Sequence, residues 1–224
     1  MAFYASGMPR LIDLSHPIEA GMVTYPGLPG PVITDHLTRQ ESRSHYAEGT
    51  EFQIGRIDMV SNTGTYLDTP FHRFGDGFDL ADLPLEKAAN LPGVCLRAEG
   101  QENGPGLLDD VDIQGRAVLF ATGWDRHWGT DGYGDPSHPY LSADAAETIA
   151  QRGAALVGID SVNIDDTRAG TRPAHTTLLE AGIPIVEHLT GLGELVGGDF
   201  RFFALPPRVR GMGTFPIRAM AIVD

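Results

Sequence analysis

The stretch Ser61-Asn62-Thr63-Gly64-Thr65-Tyr66-Leu67-Asp68-Thr69-Pro70-Phe71-His72 decides how the rest of this chain is read. An extended backbone turns successive side chains to opposite faces, so Asn62, Tyr66 and Asp68 are expected on one face and Leu67 on the other. Gly64 leaves room for a ligand or a second backbone to come close, and Pro70 breaks ladder pairing, which sets His72 on a turn beside the polar face. Taken alone, the pattern also fits a strand whose tyrosine and asparagine hydrogen-bond within a core.

Working outward, residues 11–15 read as a strand, and residues 49–60 as another with Phe52, Ile54 and Ile57 as inward candidates. Residues 112–122 have the continuous apolar character of a buried strand. A helix is predicted over 142–152, with Ser142 as its N-cap and Ala145, Ala146, Ile149 and Ala150 as its apolar face before Gly153. Residues 154–160 return to strand. A second short helix follows Pro173, carries His175 and Leu178-Leu179 and stops at Gly182, and strands are expected over 183–187, 200–205 and 217–223. The 28 glycines and 16 prolines fall between these runs rather than in one linker, so the pattern is a turn-rich α/β or α+β fold with more strand than helix. An antiparallel return of helix and strand would bring His175 to Glu187. Each of the two taken alone is ordinarily a capping or solvated residue.

At 224 residues without a composition break, one domain spanning 1–224 is expected. The formal net charge of −14, with no basic cluster, argues against nucleic acid as a partner. No apolar run reaches the roughly 18 residues of a membrane helix. The opening Met1-Ala-Phe-Tyr-Ala-Ser lacks a basic segment followed by an apolar one, so a soluble, cytoplasmic protein is expected. The single cysteine, Cys95, between Val94 and Leu96, reads as a structural thiol.

These segments resemble the cyclase family, to which kynurenine formamidase and isatin hydrolase belong. The family motif His-x-Gly-Thr-His-x-Asp-x-Pro-x-His is matched in frame at Gly64, Thr65, Asp68, Pro70 and His72, while Asn62 and Tyr66 stand where its first two histidines would be. The resemblance runs nearly end to end, through Asp13-Leu-Ser-His-Pro17, Tyr25-Pro-Gly27, Thr122-Gly-Trp124, Gly158-Ile-Asp-Ser161, the region from His175 to Glu187, Leu205-Pro206 and Pro216-Ile-Arg-Ala219.

The resemblance implies a mixed α/β domain of the swivelling β/β/α type with a barrel-like sheet, assembled as a homodimer or homotetramer. It implies a hydrolase of a small cyclic or acyclic amide, lactone or ester. By position, Asp68, His175 and Glu187 match metal ligands and His72 matches the acid-base group. Tyr25 takes the place of a tryptophan that lies against the substrate ring, and Trp124 and Asn62 are further substrate-binding candidates. Asparagine is a weak oxygen donor and tyrosine binds metal well only as phenolate, so at most one divalent ion, zinc or manganese, is implied, and a metal-free site stays open beside it. Without metal, His72 and Tyr66 would be the catalytic pair of a cyclase or dehydratase. A non-catalytic protein that binds a small molecule is the third reading.

Overall fold

The computed structural model describes residues 9–223, and residues 1–6, read above for their lack of a secretory pattern, lie outside them. In chain order the strands are β1 (Arg10–Asp13), β2 (Val32–Leu37), β3 (Ile54–Asp58), β4 (Tyr66–Asp68), β5 (Leu91–Arg97), β6 (Glu102–Asn103), β7 (Ala117–Ala121), β8 (Tyr140–Leu141), β9 (Leu156–Ile159), β10 (Ile185–Glu187), β11 (Phe200–Phe203), β12 (Thr214–Pro216) and β13 (Met220–Val223). The helices are α1 (Arg39–Ser42), α2 (Ala143–Gln151) and α3 (Pro173–Glu180). Nine strands form one curled sheet in the order β1-β13-β11-β5-β7-β9-β10-β4-β12. The run from β5 through β7 and β9 to β10 is parallel, and antiparallel pairs flank it on both sides. This is the strand-rich mixed α/β class with a barrel-like sheet expected from the sequence.

The centre of the sheet is buried on both faces, which explains the unbroken apolar run at β7. Val118 and Phe120 pack with α2 and α3 through Ala145, Ala146, Ile149, Leu178 and Leu179, while Leu119 points into a second core with Leu67, Leu91 and Phe202. Ser142 caps α2, its hydroxyl accepting from the amide of Ala145. Cys95 lies in that second core, and burial pushes its thiol up to about 12, as suits a structural residue. Among the described residues no helix is long and apolar enough to cross a membrane.

Two expectations need correction. Phe52, Ile54 and Ile57 are not inward: they are 54%, 49% and 47% exposed, because β3 pairs only with β2 in a two-stranded ribbon apart from the main sheet. Ile54 and Ile57, three residues apart, moreover point to opposite faces of β3. The motif, likewise, is not extended throughout. Gly64 adopts φ +67°, a left-handed turn, so only Tyr66–Asp68 is strand and alternation does not carry back to Asn62.

Candidate active site

The site is assembled around β4, which pairs with β10 on one side and β12 on the other. Glu187 on β10 lies opposite Tyr66, and Thr214 on β12 lies opposite Asp68. Directly opposed residues share a face, as do residues two apart, so Tyr66, Asp68, Glu187 and Thr214 all project to the same side. Pro70 then ends the strand and opens a single tight turn, Pro70–His72, which swings His72 over Asp68. The backbone at Gly213 presses so closely on this turn that a Cβ there would lie 2.2 Å from the His72 amide nitrogen, so only glycine lets β12 deliver Thr214. The Gly213 carbonyl also accepts from the Thr69 amide at 2.7 Å.

His175 arrives from α3. Asp165, which follows β9, accepts from the Ala174 and His175 amides at 2.7 and 3.0 Å and thereby caps the helix, a task the side chain of the N-cap residue Arg172 does not perform. The same carboxylate accepts from His175 Nδ1 at 2.7 Å. His175 Nε2 is thereby turned toward Glu187 Oε1, at 3.5 Å, and Asp68 Oδ2, at 3.8 Å. Tyr66, Asp68, His72, His175 and Glu187 therefore meet, although they span more than half the chain.

Burial governs the electrostatics. For Asp68 it works against the charge, but the neighbouring His175, the charge of His72 and the Thr214 hydroxyl outweigh it and hold the carboxyl below its usual range. Glu187 is raised to about 7, by burial first, with the nearby Asp68 adding to the rise. Burial alone would lower His175, yet Glu187, Asp165 and Asp68 together raise it to about 10. Tyr66 is raised well above its usual value by burial and by the Glu187 and Asp68 charges, so it stays a phenol at neutral pH.

The donor set suits a divalent cation. Asp68 Oδ2 is buried with no hydrogen-bond partner, and a carboxylate on Nδ1 is the outer-sphere arrangement that fixes a metal-binding imidazole with Nε2 bare. One ligating atom each from Asp68, His72 and His175 lie within 4.8 Å of one another. Tyr66, by contrast, donates its hydroxyl proton to Glu187 Oε2 at 2.7 Å, and Asn62 lies at that same hydroxyl.

The cavity of about 670 Å³ beside the cluster is lined by His72, Arg73, Arg172 and His175 among others, and not by Tyr25, Trp124 or Asn62. Trp124 is half-buried and donates from Nε1 to the Tyr133 carbonyl at 2.9 Å. Tyr25 sits at a turn, where its carbonyl accepts from the Leu28 amide. Three participants escaped the sequence reading: Thr214, Asp165 and His188. The last is fully buried against the Tyr66 ring, with Nδ1 2.7 Å from the Tyr133 hydroxyl, and burial lowers it to about 3.

A curled mixed sheet carrying an imidazole–carboxylate cluster able to hold a metal ion, under an accessible histidine, is the setting of a small-molecule enzyme site. The chain belongs to the cyclase family: residues 12–166 match the family described as Putative cyclase. It is 27% identical over 210 residues to a kynurenine formamidase of Bacillus mycoides (strain KBAB4), covering 93% of this chain and 95% of the relative. Identity to the kynurenine formamidase of Geobacillus thermodenitrificans (strain NG80-2) is 29% over 211 residues, with the same coverage. A solved structure described as a potential metal-dependent hydrolase with cyclase activity superposes with TM-score 0.78 at 26% identity, covering 96% of this chain and 98% of that one. Isatin hydrolase A from Labrenzia aggregata shares the fold, with TM-score 0.81 at 20% identity, covering 98% and 96%.

Proposed function

We propose that this protein, as one cyclase-like domain, hydrolyses a small amide, with His72 as acid-base group and one divalent ion. The observation that carries the reading is the pair of contacts made by Thr214 Oγ1, to Asp68 Oδ1 and, at 2.7 Å, to His72 Nδ1. A hydroxyl has one proton, and the Asp68 carboxylate can only accept it. The His72 contact therefore requires Nδ1 to carry a hydrogen and donate to Thr214, which leaves the Nε2 lone pair free. The His72 side chain is 37% exposed at the cavity, so Nε2 can take a proton from the attacking water and return it to the leaving nitrogen. Water adds to the carbonyl carbon, the C–N bond breaks, and an acid and an amine leave.

Asp68, His175 and Glu187 would hold the ion. Bound there, it would polarise a carbonyl and lower the pKa of a water. With Nδ1 committed to Thr214, His72 keeps its Nε2 available for proton transfer at the cavity. Tyr66, buried and bonded to Glu187, acts by orienting that carboxylate.

Formanilide, a minimal formyl amide, tests the reading. Turnover by the purified protein should fall at least about 100-fold in His72→Ala, the low end of what a positioned acid-base group supplies. Equal turnover in wild type and His72→Ala would remove the histidine from the mechanism, and no turnover with or without added zinc would point instead to a binding protein.

We also read the ribbon of β2 and β3 as a self-association surface. Val32, Ile33, Ile54 and Ile57 are exposed on it, with Phe52 beside it, and an isolated two-stranded ribbon is marginal in water. Light scattering should give at least a dimer, and a mass of 24.1 kDa would contradict this.

A further inference from the structure

We propose that the cavity over His72 and His175 selects a substrate bearing a carboxylate, and that Arg73 and Arg172 make the selection. The proposal rests on the hydrolase reading for its chemistry but on different atoms for its evidence. Each histidine has a guanidinium as neighbour at the cavity: Arg73 follows His72, and Arg172 precedes His175 by three residues at the start of α3.

Both guanidinium groups are anchored without being neutralised. Arg73 donates from Nε to Thr176 Oγ1 at 3.4 Å and lies 5.5 Å over the Phe74 ring. Arg172 donates from Nη1 to the Asp166 and Thr171 carbonyls at 3.2 and 3.0 Å and also to that of Ala169. Among the described residues neither meets a carboxylate within ion-pair distance. Nearby Arg168 shows the contrast, for it spends its charge on Asp166 through Nε at 2.9 Å and Nη2 at 2.8 Å.

No acidic residue lines this cavity, in a chain of net charge −14. A surface of that sign repels anions on the whole, and both arginines line this cavity. Asp68, Asp165 and Glu187 face His175 and make no ion pair with either arginine. An uncharged amide would draw little from two oriented guanidinium groups. A carboxylate would meet a pair of planar donors whose geometry matches its own.

The test compares 2-formamidobenzoate with formanilide, which differ by one carboxylate, in wild type, Arg73→Gln, Arg172→Gln and the double variant. Wild type should favour the anion in kcat/KM. The ratio between probes should fall about tenfold in each single variant and up to about a hundredfold in the double, as expected for charge-assisted hydrogen bonds. Benzoate binding measured by calorimetry reads the same contacts without turnover and should weaken in parallel. An unchanged ratio in the double variant, or benzoate bound as in wild type, would overturn the proposal. If neither probe is hydrolysed yet benzoate binding depends on both arginines, the anion site stands and the hydrolase reading falls.

Discussion

Thr214→Val should cut turnover of a small amide about 10- to 100-fold, a part of the 10²–10⁴ that a correctly protonated acid-base group contributes. Valine keeps the β-branched shape that packs in β12 but neither donates to Asp68 nor accepts from His72. The imidazole is then free to place its hydrogen on either nitrogen and to turn away from the cavity. Asp68 Oδ1 loses its donor, which costs about 1–3 kcal/mol for an unsatisfied buried group, so some loss of stability accompanies the loss of rate. Thr214→Ser separates the two effects, because it restores the hydroxyl and should recover most of the turnover. Nitrogen-15 spectra of the His72 ring supply a readout that packing alone would not move. Wild type and Thr214→Ser should show the hydrogen on Nδ1, and Thr214→Val should not. Unchanged turnover and ring spectra in Thr214→Val would refute the role.

Asn62→His combined with Tyr66→His should raise zinc uptake from one ion per chain to two. In wild type the Tyr66 hydroxyl is held as a phenol and donates to Glu187, so it offers a metal no anionic oxygen. Two imidazoles would supply bare nitrogens beside Asp68. Zinc uptake should depend on pH with a definite sign. The ion must displace the proton of His175, raised to about 10, and that of Glu187, raised to about 7. Protons therefore compete more strongly as pH falls through 7, affinity drops, and protons are released on binding. Calorimetry in two buffers of different ionisation enthalpy would measure that release. Equal zinc stoichiometry in wild type and double variant would defeat the claim of a depleted site.

Much of this was legible in the sequence because its signals are local. Pro70 announces the turn under His72, Ser142 the start of α2, and the unbroken apolar run of β7 a strand buried on both faces. His175 and Glu187 followed from helix and strand patterns twelve residues apart, joined to a family motif. What escaped depends on contacts between distant segments. Thr214 matters only through the register that sets it opposite Asp68, 146 positions away. Asp165 caps α3 from eight residues before Pro173, outside the window in which an N-cap is sought. The ribbon of β2 and β3 carries apolar residues on both faces, and nothing in the local sequence says that they are left exposed.

The most direct test is the metal content of protein purified without chelators, measured by elemental analysis at neutral pH and again after dialysis against zinc. One ion per chain, lost together with turnover in Asp68→Asn, is the predicted result. Two ions per chain in the wild type, or full turnover by protein that holds none, would contradict the account.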